Sequence, residues 1–258
     1  MKKKGRLFVT LLISALISFP PVALIVGDTI IDAHYEKQVE KYKESYGELY
    51  DLVFKTDNGM PVRLHDFNKP ITVALNGFNE KEKKEVVDAI NRLDNISDSL
   101  SYVIYDNEDK KLTANINIYN DENYRNTNNH SLANTYFNCS SSSAEINYPI
   151  TITIDKNCYN YYDEHGVNLL NYVIKHEMMH TLGFCDLYDE EYFNKSIMWF
   201  SVDNTVDVND YTVMDEVNIK KLYDDVLIET EYPEYVKVER VDAQVPKKYE
   251  EDECENVM

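Results

Sequence analysis

The chain has 258 residues, with 46 Asp and Glu against 26 Lys and Arg, for a formal net charge of −20. Holding phosphates by charge needs a surplus of clustered cations, so this balance argues against nucleic acid as a partner. A hydrophobic content of 43% with 21 Tyr excludes a wholly disordered acidic chain, and 4 Cys are too few to staple a domain of this size, so the core must come from ordinary burial.

At the N-terminus, Lys2, Lys3, Lys4 and Arg6 precede an apolar run from Leu7 to Val26. A basic flank before about twenty apolar residues is inserted with its positive end inside, so residues beyond 27 are expected to be extracytoplasmic. The length of 1–27 favours an uncleaved membrane anchor, whereas Pro20-Pro21 favours a cleaved signal peptide and a secreted protein. Residues 28–69 read as a helical stalk or linker. Within 30–54, Tyr35, Val39, Tyr42, Tyr46, Leu49 and Val53 alternate spacings of four and three, a heptad seam. A single helix fits that seam, and so does dimerisation through residues 35–53.

Breaks at Asp57-Asn58-Gly59-Met60-Pro61 and at Pro70 lead into a regular pattern over 70–225. Strands are predicted at 71–75, 101–106, 115–119, 132–137 and 150–154, rich in Tyr, Ile, Val and Thr. Helices are predicted at 79–96 with Asn79 as N-cap, at 167–182, and at 213–223 behind Thr212. The fold class is α+β, with one mixed sheet and three helices. Residues 226–258 carry 10 acids and 4 bases without apolar periodicity, the composition of a disordered acidic tail.

The chemistry-bearing stretch is His176-Glu177-Met178-Met179-His180. On a helix, positions i and i+4 lie on one face, so both imidazoles can reach one ion, while Glu177 stands beside them as a base rather than a ligand. Gly183 follows where such a helix would end, because glycine takes a left-handed backbone cheaply and lets the chain double back. Three residues on, Asp186 offers a third ligand; Asp189, Glu190 and Glu191 compete for that role. Ser196-Ile197-Met198-Trp199 comes next.

These residues resemble the metzincin clan of zinc endopeptidases, whose signature HExxHxxGxxH is followed by a Met-containing turn. NLLNYVIKHEMMHTLG is similar to the active-site helix of matrixins, SIMW to their Met-turn and TVMDEVNIKKLYD to their C-terminal helix. The resemblance covers roughly 70–225 and is motif-deep only after 166. It implies a mostly parallel twisted sheet, Zn2+ on His176, His180 and Asp186, Met198 as an apolar floor beneath the metal, and Glu177 as general base in peptide hydrolysis. Asp186 departs from the final His of the signature; snapalysins are similar in using Asp there. Phe200 stands where astacin-like and serralysin-like relatives carry a tyrosine.

Other readings stay open. A zinc hydrolase of the other HExxH group would need a glutamate from a later helix, and Glu216 is the candidate; a non-catalytic surface-binding protein would keep the fold alone. An extended substrate is expected at the edge formed by 132–137, with 201–210 as an outer pocket wall. His34, His65, His130 and His165 read as structural, and Cys185 as a packed thiol. Cys139 and Cys158 could form a disulfide, and Ca2+ is invited by clusters such as Asp121-Glu122. Residues 186–225 hold 11 acids against 3 bases, so cationic substrate segments are expected to be favoured.

Overall fold

The computed structural model describes residues 36–67, 69–106, 113–124, 132–140, 142–157, 169–200, 210–224 and 238–242. The chain divides into two compact units, one up to Gly47 and one from Glu48 onward. In the first, helix α1 spans 36–46. It ends at Gly47, whose φ of +58° breaks the helix predicted to run on to residue 54. No helix among the described residues is long and apolar enough to cross a membrane; residues 1–35, with the apolar run and Tyr35, lie outside them.

The second unit is a mixed α/β fold on one sheet. Its elements are α2 (Leu49–Leu52), β1 (Arg63–Leu64), β2 (Ile71–Asn76), α3 (Glu80–Asp94), β3 (Tyr102–Asp106), β4 (Ile116–Asp121), β5 (Ala133–Ser140), β6 (Glu145–Asp155), α4 (Leu169–Thr181), α5 (Val213–Tyr223) and β7 (Val238–Asp242). The strand order is β3-β2-β4-β6-β5-β7, with β1 beside the start of β6. Pairs among β3, β2, β4 and β6 are parallel, and β5 is antiparallel to both neighbours. This is the mostly parallel sheet that the resemblance implies.

Side-chain alternation explains the strands. In β6, Ile150, Ile152 and Ile154 are fully buried between half-buried Thr151 and Thr153, and Ile150 and Ile152 pair with Ile116 and Ile118 of β4. β6 begins five residues earlier than predicted, because Pro149, after a cis Tyr148-Pro149 bond, sits where the β5 register shifts and does not end the strand. α3 starts at a capping box: Asn79 Oδ1 accepts from the Lys81 and Glu82 amides, and Glu82 Oε2 accepts from the Asn79 amide at 2.7 Å. Val86, Ala89, Ile90 and Leu93 then line one helical face and are fully buried.

Two regions depart from the sequence reading. Residues 48–65 were expected in a stalk, yet they belong to the second unit. After α2, a hairpin turns at Gly59, where the φ is +72°, and β1 pairs with β6. Leu49 and Val53, two of the six seam positions, are fully buried and so not available for pairing two copies. In the tail, Val238–Asp242 forms β7 and pairs antiparallel along the outer edge of β5, from Tyr136↔Asp242 to Ser140↔Val238. Of the edge expected to be open, 132–137, Tyr136 and Phe137 are therefore lined by the chain's own backbone.

Leu49, Leu52, Val53, Val62 and Leu64 are all buried. Full burial contributes about 1.5–3 kcal/mol per side chain, so the arm carries an amount comparable with the roughly 5–15 kcal/mol stability of a domain. A chain starting at residue 48 is expected to unfold cooperatively, and one starting at residue 70 to be unfolded or molten; matching thermal transitions for the two would refute this.

Candidate metal centre

α4 brings His176 and His180 onto one face, with ring centroids 4.8 Å apart and planes at 86°. Each ring is anchored through Nδ1: His176 donates to the Ile197 carbonyl and His180 to the Phe184 carbonyl, both at 2.8 Å. With Nδ1 committed as a donor, Nε2 is the nitrogen left to bind Asp186 when protonated, or a metal ion once it gives up that proton. Both Nε2 atoms converge on Asp186 Oδ1, at 3.0 and 3.4 Å. Among the described residues these three form the group able to hold a metal ion, their ligand atoms all lying within 4.8 Å of one another. Two imidazole nitrogens and one carboxylate oxygen suit a first-row divalent cation with a position left open.

Asp186 reaches the imidazoles because the chain reverses at Gly183. Its φ is +99°, and a Cβ there would meet the Val62 carbonyl oxygen at 2.3 Å. Backbone bonds pin the reversal to the N-terminal arm: Phe54 N–H to Gly183 O at 2.7 Å and Cys185 N–H to Leu52 O at 3.0 Å. Tyr223 in α5 donates to Leu182 O and accepts from the Leu64 amide, closing the same junction.

The turn at 196–199 is held from below by α5. The buried Asp215 carboxylate accepts from Ser196 Oγ at 2.5 Å, Ile197 N–H at 3.0 Å and Thr212 N–H at 2.8 Å. Met198 is buried, its amide bound to Ser196 Oγ and its carbonyl to the Leu187 amide. The Ile197 carbonyl also accepts from Tyr172 Oη at 3.2 Å, and the Tyr172 ring stacks beside His176 with planes 28° apart.

Glu177 is 6% exposed, and its Oε2 accepts from Thr135 Oγ1 of β5 at 2.6 Å. Sequence reading missed Thr135, which lies 42 residues away, and Tyr188, whose hydroxyl meets Asp186 Oδ2 at 3.4 Å and whose ring stacks on Phe200. For Tyr188 the available signal was a hydroxyl two residues past a candidate ligand.

The competing ligands are not brought in. Glu216 pairs with Arg92, and Asp189 caps a short 3₁₀ turn over Glu190–Tyr192. Asp121 accepts from the Asn123 amide, and Glu122 pairs with Lys156 at 2.7 Å. His65 binds Glu145 at 2.9 Å. His34, His130, His165, Cys158 and 201–209 of the expected pocket wall lie outside the described residues. The Cys185 thiol is pushed up to about 11, chiefly by burial, which suits a packed thiol.

No protein-family model matches the chain, and no curated protein matches it. Among solved structures it is similar to that of myroilysin, at 13% identity over 62% of this chain and 95% of that one, with a TM-score of 0.41.

Electrostatics bind the cluster even without metal. Burial works against the Asp186 carboxylate, but His180 and His176 outweigh it and hold it well below its ordinary range. Burial works against the His180 imidazolium too, yet Asp186 raises that ring to about 9. A depressed carboxylate adds stability above its unfolded value near 3.8, lost as pH falls; a raised imidazole adds stability below its unfolded value near 6.5, lost as pH rises through about 9. Metal-stripped protein is therefore expected to be most stable between these unfolded values. Melting temperature measured against pH should show that maximum, and Asp186→Asn should flatten it.

Proposed function

We propose that this chain is an extracytoplasmic zinc-dependent endopeptidase of the metzincin type. The observation that carries the reading is the orientation of the imidazoles: each Nδ1 is tied to a main-chain carbonyl, and each Nε2 faces the Asp186 carboxylate with Glu177 buried on the same helix. His176, His180 and Asp186 would hold zinc. When bound, the ion supplies a Lewis acid that acidifies water and polarises a carbonyl. Glu177 accepts the proton of the attacking water and passes it to the departing amine, restoring itself at the end of the cycle. The Ile197 and Phe184 carbonyls keep both rings in the tautomer that presents Nε2. Glu216, paired with Arg92, gives no support to the alternative ligand set.

The substrate is a peptide in extended form, adding to the outer edge of β5. β7 pairs with that edge from Tyr136 to Ser140, so substrate that extends past Thr135 and residues 238–242 compete for the same main-chain groups. A preference for cationic segments rests on fewer acids than the sequence count suggests. Asp186 and Asp215 are committed internally, Asp210 and Glu216 pair with Arg92, Asp210 also with Lys175, and Asp224 accepts from Ser97; among the described residues Asp189, Glu190 and Glu191 are left as the attracting cluster. The basic flank and apolar run of residues 1–27 support an extracytoplasmic domain, anchored or released.

The purified chain is expected to contain one zinc and to cleave casein until chelated. Glu177→Gln should keep the metal and lose about 100- to 10,000-fold in kcat. Asp186→Ala should lose zinc and Asp186→His should keep it; equal zinc in both would move the third ligand elsewhere. Deleting residues 226–258 should lower KM several-fold with kcat unchanged, and an unaltered KM would put the substrate on another edge.

A further inference from the structure

Glu177 has three side-chain torsions, and a proton acceptor that must meet one water gains from having them fixed. The site fixes them with one hydroxyl. Thr135 is 1% exposed on the inner face of β5, in the buried row it shares with Ala133 and Phe137, and opposite Ile152 of β6. A β-branched side chain on a strand is stiff at its first torsion, so the backbone of β5 sets where Oγ1 points. Oγ1 donates to Glu177 Oε2 at 2.6 Å, a short hydrogen bond.

We propose that Thr135 is the positioning residue of the general base: by holding Oε2 it commits the other oxygen, Oε1, to taking the proton. This rests on the hydrolytic reading of the site. The division of labour is chemical. A carboxylate oxygen that already accepts a short hydrogen bond is the poorer base, so proton transfer goes to its partner oxygen. It also couples catalysis to the sheet, because a strand shift at β5 would turn Glu177 without touching His176, His180 or Asp186. Without the hydroxyl, a buried carboxylate oxygen loses its donor and the side chain reorients.

The test is Thr135→Val against Thr135→Ser in the full chain. Val keeps the branched shape without the donor, and Ser keeps the donor without the methyl. The Val variant is expected to retain zinc stoichiometry and KM within about twofold while kcat falls about 10- to 100-fold, the scale of a misplaced catalytic group; the Ser variant should recover most of the loss. A second readout needs no turnover. In metal-free protein labelled with 13C at glutamate side-chain carboxyls, the Glu177 signal, identified by its absence in Glu177→Gln, should move in the Val variant and stay in place in the Ser variant.

Unchanged kcat in Thr135→Val, equal losses in both variants, or kcat loss that tracks lost zinc would overturn the proposal. If the wild-type chain cleaves no peptide, the hydrolytic reading fails by itself, and the carboxyl signal still decides whether Thr135 holds Glu177.

Discussion

Two main-chain carbonyls govern this molecule. A histidine can present either ring nitrogen to a partner, and only the bond made by the other nitrogen decides which. Here Ile197 O and Phe184 O make that decision for His176 and His180. Neither carbonyl belongs to α4, so the helix supplies spacing and the surrounding chain supplies orientation. Each carbonyl is in turn held by something distant. Ile197 is fixed through Asp215 in α5, and Phe184 through the reversal at Gly183, which leans on Val62 and is bonded to Phe54. The site is thus a meeting of the C-terminal helix, the N-terminal arm and the central helix.

Asp215 is the more exposed to failure of these supports. Burial pushes its carboxyl up, while donors from Ser196, Ile197 and Thr212 pull it back. A buried carboxylate is tolerated when its lone pairs are filled, and here one of the donors, Thr212, also closes the capping box of α5. Loss of any one of them would be felt both in helix α5 and in the turn that carries Met198. Stability and orientation of the candidate metal ligands are therefore not separable on this side of the site.

The legible parts of the sequence were those written locally. The i, i+4 spacing of His176 and His180, the helix-ending Gly183 and the caps Asn79 and Thr212 each declare themselves within a few residues, and all four features stand where they were read. Strands β2 and β6 declared themselves by alternating Ile, Val and Thr, and β4 by Ile alternating with Asn and Tyr. What escaped depended on contacts across long separations. Thr135 is an ordinary strand threonine until α4 lays Glu177 against it. The arm at 48–65 was misread because its heptad spacing continues past Gly47, and only a backbone with φ of +58° ends the helix there. β7 hides because Val-Glu-Arg-Val-Asp is too short and too charged to stand out in an acidic tail.

The same strand bears on how copies of this protein behave in a crowd. A sheet that ends in unpaired backbone invites a neighbouring molecule to extend it, and charged residues along the terminal strand discourage that. With β7 in place, the sheet ends on one side in a strand whose sequence, Val-Glu-Arg-Val-Asp, is three-fifths charged. The other end is β3, where Val103 and Tyr105 are exposed. The sheet is thereby left with unequal flanks, and concentrated protein that aggregates through added strands would do so from the β3 side.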